Sequence, residues 1–245
     1  MNCDTVMQDS TVSKGGTVTK TIATASILRH GATRYTELFP DIVDEGARAV
    51  RNTAREISQR FPQSRKKIAL VSSPAPRAMG TAFHVVKIWN PDHQWGEGSA
   101  NVEPLLRPIL IRNREAVNAH YREVVGEMKN TIHAHRLWDS YFMRSPAYQE
   151  GKICEPLSSA YMRLIQFLGS LPDRYGMRYH VVAVTHLELV GMLVHEVFQL
   201  HNDPNDDHLR PAEVVHISLR DDETALIEFR GEVKEFAIKI PGGAP

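Results

Sequence analysis

The feature that most constrains the fold is a regular alternation of short apolar strands and amphipathic helices along the chain. Lys67–Ser72 reads KIALVS and residues 181–185 read VVAVT, and both are continuous apolar runs of strand length. Over residues 47–61, by contrast, apolar residues recur at spacings of three and four, which is typical of an amphipathic helix. This alternation predicts an α/β protein, a three-layer α/β/α sandwich with a mostly parallel central sheet.

The same periodicities outline the other elements. Residues 22–28 form the first strand candidate, and Asp44 is placed to act as the N-cap of the first helix. A later helix is expected to stop at Leu171, because Pro172 follows it. Three further strands are predicted at residues 214–219, 225–229 and 233–238.

The chain shows no internal repeat and no low-complexity linker that would divide it. We therefore expect residues 21–241 to form a single domain, with a helical excursion at about residues 91–155. Residues 1–20 are rich in Thr and Ser and have no apolar core of a secretory signal, so they are interpreted as a disordered leader.

The overall charge excludes several classes of partner. Lys and Arg together number 29, as do Asp and Glu, so the formal net charge is zero. A nucleic-acid-binding protein carries a basic excess, and we expect no nucleic-acid partner.

No apolar run approaches the roughly 20 residues that cross a bilayer, so no membrane association is expected. Two cysteines, Cys3 and Cys154, are too few for a disulfide framework and favour a reducing, cytoplasmic location.

Reactive side chains follow three of the predicted strands. Residues 29–33, reading RHGAT, come after the first strand, and residues 72–78, reading SSPAPRA, come after the second. His186 follows the VVAVT strand. In parallel sheets the carboxyl ends of the strands meet at one edge, so we expect two arginines and two histidines to converge on one crevice.

These motifs resemble the histidine phosphatase superfamily, the phosphoglycerate mutase-like proteins, in the branch that reads R-H-G-x-T. The resemblance covers nearly the whole predicted domain in order and spacing. It implies that His30 is the nucleophile, and that Arg29, Arg77 and His186 bind the transferring phosphoryl group. A neutral imidazole can carry a phosphoryl group covalently, and fixed cations stabilise the charge that develops on its oxygens. The resemblance implies no metal and no cofactor.

The sequence departs from the family pattern in three places. Thr36 stands where an Asn is common, and its hydroxyl, with that of Thr33, is assigned to substrate binding. Leu187 and Glu188 stand after the second histidine, where many members have Gly, which narrows the approach. In the third segment, residues 101–108 read NVEPLLRP, and a Pro takes the place of the Glu that commonly donates a proton to the leaving group.

The general acid is therefore left open. Glu103 is the first candidate, Glu115 is the alternative, and a site without an acid is the third possibility. The leading functional hypothesis is a phosphomonoester hydrolase that acts through a phosphohistidine on a small phosphorylated metabolite or a phosphohistidine-type substrate. The alternatives are a phosphoglycerate-type mutase and a catalytically weak regulatory module that binds phospho-ligands. The sequence does not determine the substrate or the oligomeric state.

Overall fold

The predicted strands come together in one central sheet. The computed structural model describes residues 19–34, 41–62, 66–92, 100–126, 132–199 and 209–238. Seven strands form the central sheet in the order β5-β4-β6-β1-β7-β8-β9, and β2 pairs with β3 in a small separate sheet. The strands are β1 (Thr21–Arg29), β2 (Thr33–Arg34), β3 (Asp41–Ile42), β4 (Lys67–Ser72), β5 (Asn101–Val102), β6 (Tyr179–Thr185), β7 (Val214–Arg220), β8 (Thr224–Phe229) and β9 (Glu232–Ala237).

The direction of the strands divides the sheet at β1. The strands β5, β4, β6 and β1 pair in parallel, whereas β7, β8 and β9 continue from β1 in antiparallel pairs. Because β8 is antiparallel to β7, it again runs in the direction of β1, and only β7 and β9 oppose the rest. The prediction of a mostly parallel sheet is thus confirmed, with an antiparallel extension at its carboxyl-terminal edge.

Helices cover both faces of the sheet and make the sandwich three-layered. On one face α6 and α7 pack into the larger apolar core, and on the other α1 and α2 enclose a smaller one. Three further helices lie in the predicted excursion. The helices are α1 (Asp44–Arg60), α2 (Pro76–Trp89), α3 (Arg114–Val125), α4 (Ile132–Arg144), α5 (Pro146–Gln149), α6 (Leu157–Arg174) and α7 (Leu187–Phe198), with 3-10 turns at Pro104–Leu106 and Gly176–Arg178.

Two predictions about helix ends are wrong. Asp44 is the first residue of α1 rather than its N-cap, which is Val43 and makes no side-chain capping bond. The Asp44 carboxylate acts instead through the positive end of the helix dipole. The helix α6 does not stop before Pro172 but continues to Arg174. Pro172 lacks only one hydrogen bond of the last turns, and the buried Leu171 accepts the closing bond from the Tyr175 amide.

Several predictions fall outside the described residues. The boundary of the domain at residue 241 and most of the leader at residues 1–20 lie there, as does Thr36. The extent of the domain and the disorder of the leader therefore stay predictions. Among the helices that the structure describes, none is long and apolar enough to cross a membrane.

A polar cluster lies within the apolar interior at the centre of the sheet. Ser26 of β1 hydrogen-bonds through its hydroxyl to His180 of β6 and His216 of β7, at 2.8 Å in each case. Phe61, at the end of α1, stacks on the His180 ring with the centroids 3.6 Å apart. Burial is the main reason that the pKa of His180 falls to about 3 and that of His216 to about 4, so both rings are neutral at neutral pH.

The register of the parallel strands decides where the reactive residues meet. Arg29 at the end of β1 lies opposite Thr185 of β6, and Ser72 at the end of β4 lies opposite Val184. The three strands are neighbours and end at the same level. The segments that follow them are therefore brought together beyond one edge of the sheet.

Candidate active site

The two histidines and two arginines predicted from the strand ends lie together. The rings of His30 and His186 meet edge to face with their centroids 5.2 Å apart. The Arg77 guanidinium donates from Nε to His30 Nε2 over 3.1 Å. Arg29, His30 and His186 are buried, and Arg77 is half-buried. The structure thus brings together the four residues expected to bind and transfer a phosphoryl group.

Hydrogen bonds determine which nitrogen of His30 is free to react. His30 Nδ1 lies 2.8 Å from the carbonyl oxygen of Gly31, which can only accept, so Nδ1 carries the proton. Nε2 is then left with a lone pair, which accepts the bond from Arg77. Burial first, and then the positive charges of Arg77 and Arg29, hold the pKa of His30 well below its usual 6.5. His30 is therefore a neutral imidazole with Nε2 as its nucleophilic atom.

The backbone around His30 is fixed from both sides. The His30 amide donates to the Thr185 carbonyl of β6 at 2.9 Å, and the Arg29 amide donates to the Glu213 carbonyl at 3.1 Å. On the same side as Glu213, the Ala212 amide donates to the Arg29 carbonyl at 3.1 Å. Both neighbours of β1 in the sheet therefore hold the nucleophile in position.

The turn after His30 is close-packed against α1 and α2. The Gly31 amide donates to Thr81 Oγ1 at 3.0 Å. A Cβ at Gly31 would lie 2.9 Å from a methyl of Val50, and one at Gly46 would lie 2.5 Å from the carbonyl oxygen of Ala32. Both positions require glycine because the backbones of the turn and of α1 approach each other so closely.

The tautomer of His186 follows from its bond to Ser73. His186 Nε2 lies 2.7 Å from Ser73 Oγ, and that oxygen also accepts from the Ala75 amide at 3.2 Å. Because Ser73 Oγ accepts from the Ala75 amide, we assign its proton to the bond with His186 Nε2, which leaves the ring proton on Nδ1. Burial is the main cause that lowers the pKa of His186 well below 6.5, and nearby Arg77 adds to the effect. His186 is thus a neutral donor through Nδ1.

Arg29 is held by two partners that the sequence did not indicate. Its Nη1 donates to the Leu209 carbonyl at 2.5 Å, and its Nη2 forms a salt bridge with Asp139 Oδ2 at 2.8 Å. Asp139 belongs to α4 in the helical excursion, and both side chains of the pair are largely buried. The sequence carries no signal for this pairing, because Asp139 lies in the least regular part of the chain.

Two buried polar atoms at this site have no hydrogen-bond partner. Within the described ranges, Arg29 Nε and His186 Nδ1 are the buried side-chain nitrogens and oxygens left unpaired. Buried polar groups are normally hydrogen-bonded, so two unsatisfied donors in one cluster indicate a site that bonds a ligand. Both are donors, which suits an anionic ligand.

Two helices begin at this site and add to its affinity for anions. Ala75 is the N-cap of α2, with Pro76 in its first turn, and His186 is the N-cap of α7. The amino ends of helices carry partial positive charge and unpaired amides. The cluster therefore combines two guanidinium groups, two neutral imidazoles and two helix ends, an arrangement suited to one phosphoryl group.

Glu103, the first candidate for the general acid, is engaged elsewhere. Its Oε1 accepts from the Leu105 amide at 3.1 Å, and its Oε2 pairs with Arg174 Nη1 at 2.6 Å. One oxygen thus caps the 3-10 turn, and the other pairs with α6. Among the described residues, no contact joins Glu103 to the four-residue cluster. We infer that the Glu103 carboxylate has a structural role.

The other assigned residues contribute less to the described site. Glu115 lies exposed in the first turn of α3. Thr33 is buried in β2, paired in register with Ile42, and Thr36 is outside the described residues. Within the described ranges, no group of three His, Cys, Asp or Glu residues could hold a metal ion.

The fold of the chain is similar to that of solved protein structures. No protein-family model matches the chain, and no curated protein matches it. Among solved structures, it is similar to YhfR of Bacillus stearothermophilus, at a TM-score of 0.52 and 14% identity over 91% of this chain and 98% of that one. It is also similar to the alpha-ribazole phosphatase of Shigella flexneri, at a TM-score of 0.51 and 14% identity over 85% of this chain and 96% of that one.

A third solved structure, the protein histidine phosphatase SixA complexed with tungstate, is matched at a TM-score of 0.48 and 15% identity, over 87% of this chain and 96% of that one. The identities are low, and the likeness is one of architecture over nearly the full length of each structure. The likeness to YhfR and to the alpha-ribazole phosphatase shows that the chain shares their fold over most of its length.

Proposed function

We propose that this protein is a phosphomonoester hydrolase that works through a phosphohistidine at His30. The observation that carries the proposal is the state of His30, a neutral ring whose protonated Nδ1 is bonded to Gly31 and whose Nε2 faces the guanidinium of Arg77. A nucleophile at neutral pH needs such a lone pair. The fold of the chain, shared with a solved alpha-ribazole phosphatase, supports the proposal.

The reaction would proceed in two displacements. In the first, His30 Nε2 forms a bond to phosphorus while the bond from phosphorus to the ester oxygen breaks, and a proton is delivered to that oxygen. In the second, water attacks the phosphohistidine, gives up a proton, and releases inorganic phosphate with His30 restored. Dividing one difficult displacement into two easier ones is the advantage of the covalent intermediate.

Two guanidinium groups and one neutral imidazole would stabilise the charge on the transferring phosphoryl oxygens. Arg29 and Arg77 would donate through their guanidinium groups, and His186 would donate through Nδ1. The two unpaired donors, Arg29 Nε and His186 Nδ1, support this assignment because phosphoryl oxygens would satisfy both. Removing one such donor costs on the order of 10²- to 10³-fold in rate. We propose that the two guanidinium groups supply the required positive charge without a metal ion.

The substrate would be a small phosphorylated metabolite or a phosphohistidine-type group. The four-residue cluster is proposed to bind one phosphoryl group, and the hydroxyls of Thr33 and Thr36 are proposed to contact it or the attached group. We propose a cytoplasmic location, which the free thiol of the buried Cys154 supports, since free thiols persist in reducing compartments.

The test is turnover of p-nitrophenyl phosphate and a panel of sugar and nucleotide phosphates by the wild type and by His30→Ala. His84→Ala is the matched control, because His84 is a half-buried histidine of α2 outside the cluster. We expect His30→Ala to abolish release of phosphate and His84→Ala to retain it. Brief incubation with labelled substrate followed by alkaline quenching should trap label on the wild type.

Three other outcomes would contradict the proposal. Turnover unchanged in His30→Ala would remove the nucleophile from its role. Label that appears in a rearranged product rather than in free phosphate would favour the mutase. Phosphate binding by calorimetry without turnover on any substrate would favour the regulatory module.

A further inference from the structure

Three carboxylates on described segments next to the four-residue cluster are held by structural bonds. Glu103 pairs with Arg174 and caps a turn. Glu188 Oε1 accepts from the Ile109 amide at 3.0 Å. Glu155 accepts from two arginines and a backbone amide. In the described part of the chain, no hydrogen bond or salt bridge joins these three carboxylates to His30, His186, Arg29 or Arg77. Their bonds give these three carboxylates structural roles.

Asp139 is a carboxylate that contacts the cluster directly. Its Oδ2 lies 2.8 Å from Arg29 Nη2, and its side chain is 15% exposed, so it is neither on the open surface nor sealed in the core. It projects from α4, which packs on α7, the helix that begins at His186. The opposite side of Arg29 is held by the Leu209 carbonyl. A phosphoryl group bound by Arg29 would therefore lie beside the Asp139 carboxyl.

We propose that Asp139 donates the proton to the leaving oxygen in the reaction of this site. This proposal rests on the proposed function and deepens it. As His30 Nε2 bonds to phosphorus and the ester bond breaks, the Asp139 carboxyl transfers its proton to the ester oxygen and becomes a carboxylate. In the second displacement the carboxylate takes a proton from the attacking water, and the carboxyl is regenerated.

The bound substrate can supply the proton that the Asp139 carboxyl donates. A phosphomonoester has a second pKa near 6, so its monoanion arrives with a proton that the carboxyl can take up. Arg29, with five N–H groups, can bond the phosphoryl oxygens through Nε while Nη2 orients the carboxyl.

Substrates with different leaving groups distinguish proton donation by Asp139 from a role that only positions Arg29. An acid matters most when the departing oxygen is a strong base, as in an alkyl phosphate, and little when it is a weak base, as in p-nitrophenyl phosphate. A residue that only holds Arg29 in place would affect both substrates equally. The ratio of the two losses therefore reports proton donation.

The experiment compares Asp139→Asn with the wild type on p-nitrophenyl phosphate and on a simple alkyl phosphate. We expect kcat/KM to fall by about 100-fold or more for the alkyl ester and by less than about 5-fold for the aryl ester. Asp173→Asn makes the same change at an exposed position of α6 and is expected to leave both values unchanged. Asp139→Glu, which keeps the carboxyl, should recover part of the alkyl activity.

Equal losses on the two substrates would overturn the proposal and leave Asp139 a positioning residue. Melting curves of each variant show whether it is folded. If Asp139→Asn is unfolded, Asp139→Glu decides, because a displaced acid should still lower alkyl turnover more than aryl turnover. Failure of the wild type to hydrolyse either ester, or full activity of His30→Ala, would contradict the proposed function instead.

Discussion

Lowering the pH from 7 to 5 should destabilise the protein through the two histidines bonded to Ser26. The unfolded chain takes up protons on histidine as the pH falls below about 6.5, whereas burial keeps His180 and His216 neutral in the folded state down to about pH 3 and 4. The unfolded state therefore binds more protons, and stability is lost as the pH falls. The loss begins near pH 6.5 and levels off below the folded pKa values.

The magnitude follows from the two pKa values of each ring. With an unfolded pKa of about 6.5 and a folded pKa of about 3 or 4, each histidine lowers the free energy of unfolding by about 2 kcal/mol between pH 7 and pH 5. The charges around His180 act in the same direction as burial, because Lys66 and Arg60 both lower the pKa of the ring. At His216, burial and Arg60 lower the pKa of the ring, and Glu228 raises it.

The assay is urea unfolding at pH 7, 6 and 5 for the wild type, His180→Gln and His216→Gln. A variant can be less stable than the wild type at pH 7, but it lacks one titrating ring. We expect the difference in unfolding free energy between wild type and each variant to change by about 2 kcal/mol in favour of the variant by pH 5. Groups common to both proteins cancel in this difference. Parallel pH dependences for wild type and variants would refute the reasoning.

Three other perturbations test the site. Gly46→Ala should destabilise the protein by about 1–3 kcal/mol in denaturant unfolding, because its Cβ would lie 2.5 Å from the Ala32 carbonyl oxygen; an unchanged midpoint would contradict that packing. Ser73→Ala should lower kcat/KM by about 10- to 100-fold in steady-state assays, since a buried ring nitrogen of His186 loses its donor at a cost of about 1–3 kcal/mol. After correction for substrate ionisation, the pH profile of kcat/KM should show no loss near 6.5 from His30, whose lowered pKa keeps Nε2 unprotonated; a loss centred at 6.5 would show an exposed, ordinary ring.

The convergence of His30, Arg29, Arg77 and His186 could be predicted from the sequence. Each follows an apolar run that reads as a buried strand, and neighbouring parallel strands end at one edge of the sheet whatever the details of packing. A local pattern and one rule of topology are sufficient for such residues. The same reasoning accounts for the three layers of the fold.

Asp139 and Glu103 show where this reasoning fails. Asp139 reaches Arg29 from a helix in the excursion, and the placement of that helix depends on tertiary packing rather than on any local pattern. Glu103 lies beside the expected position in sequence, but its carboxylate is bonded to Arg174 and Leu105. A residue that is close to the site in sequence does not have to point its side chain into it. Here Arg174, which is distant in sequence, binds the Glu103 carboxylate outside the site.

The two-sided hydrogen bonding of β1 has a consequence for the order of folding. The His30 amide is bonded to β6, while the Arg29 amide and carbonyl are bonded to Glu213 and Ala212, which precede β7. Segments near residues 30, 185 and 212 must therefore assemble before the nucleophile reaches its final conformation. Contacts of such long sequence separation form slowly, because much chain must be ordered first. Activity is thus expected to return late in refolding, after most of the helical signal has recovered.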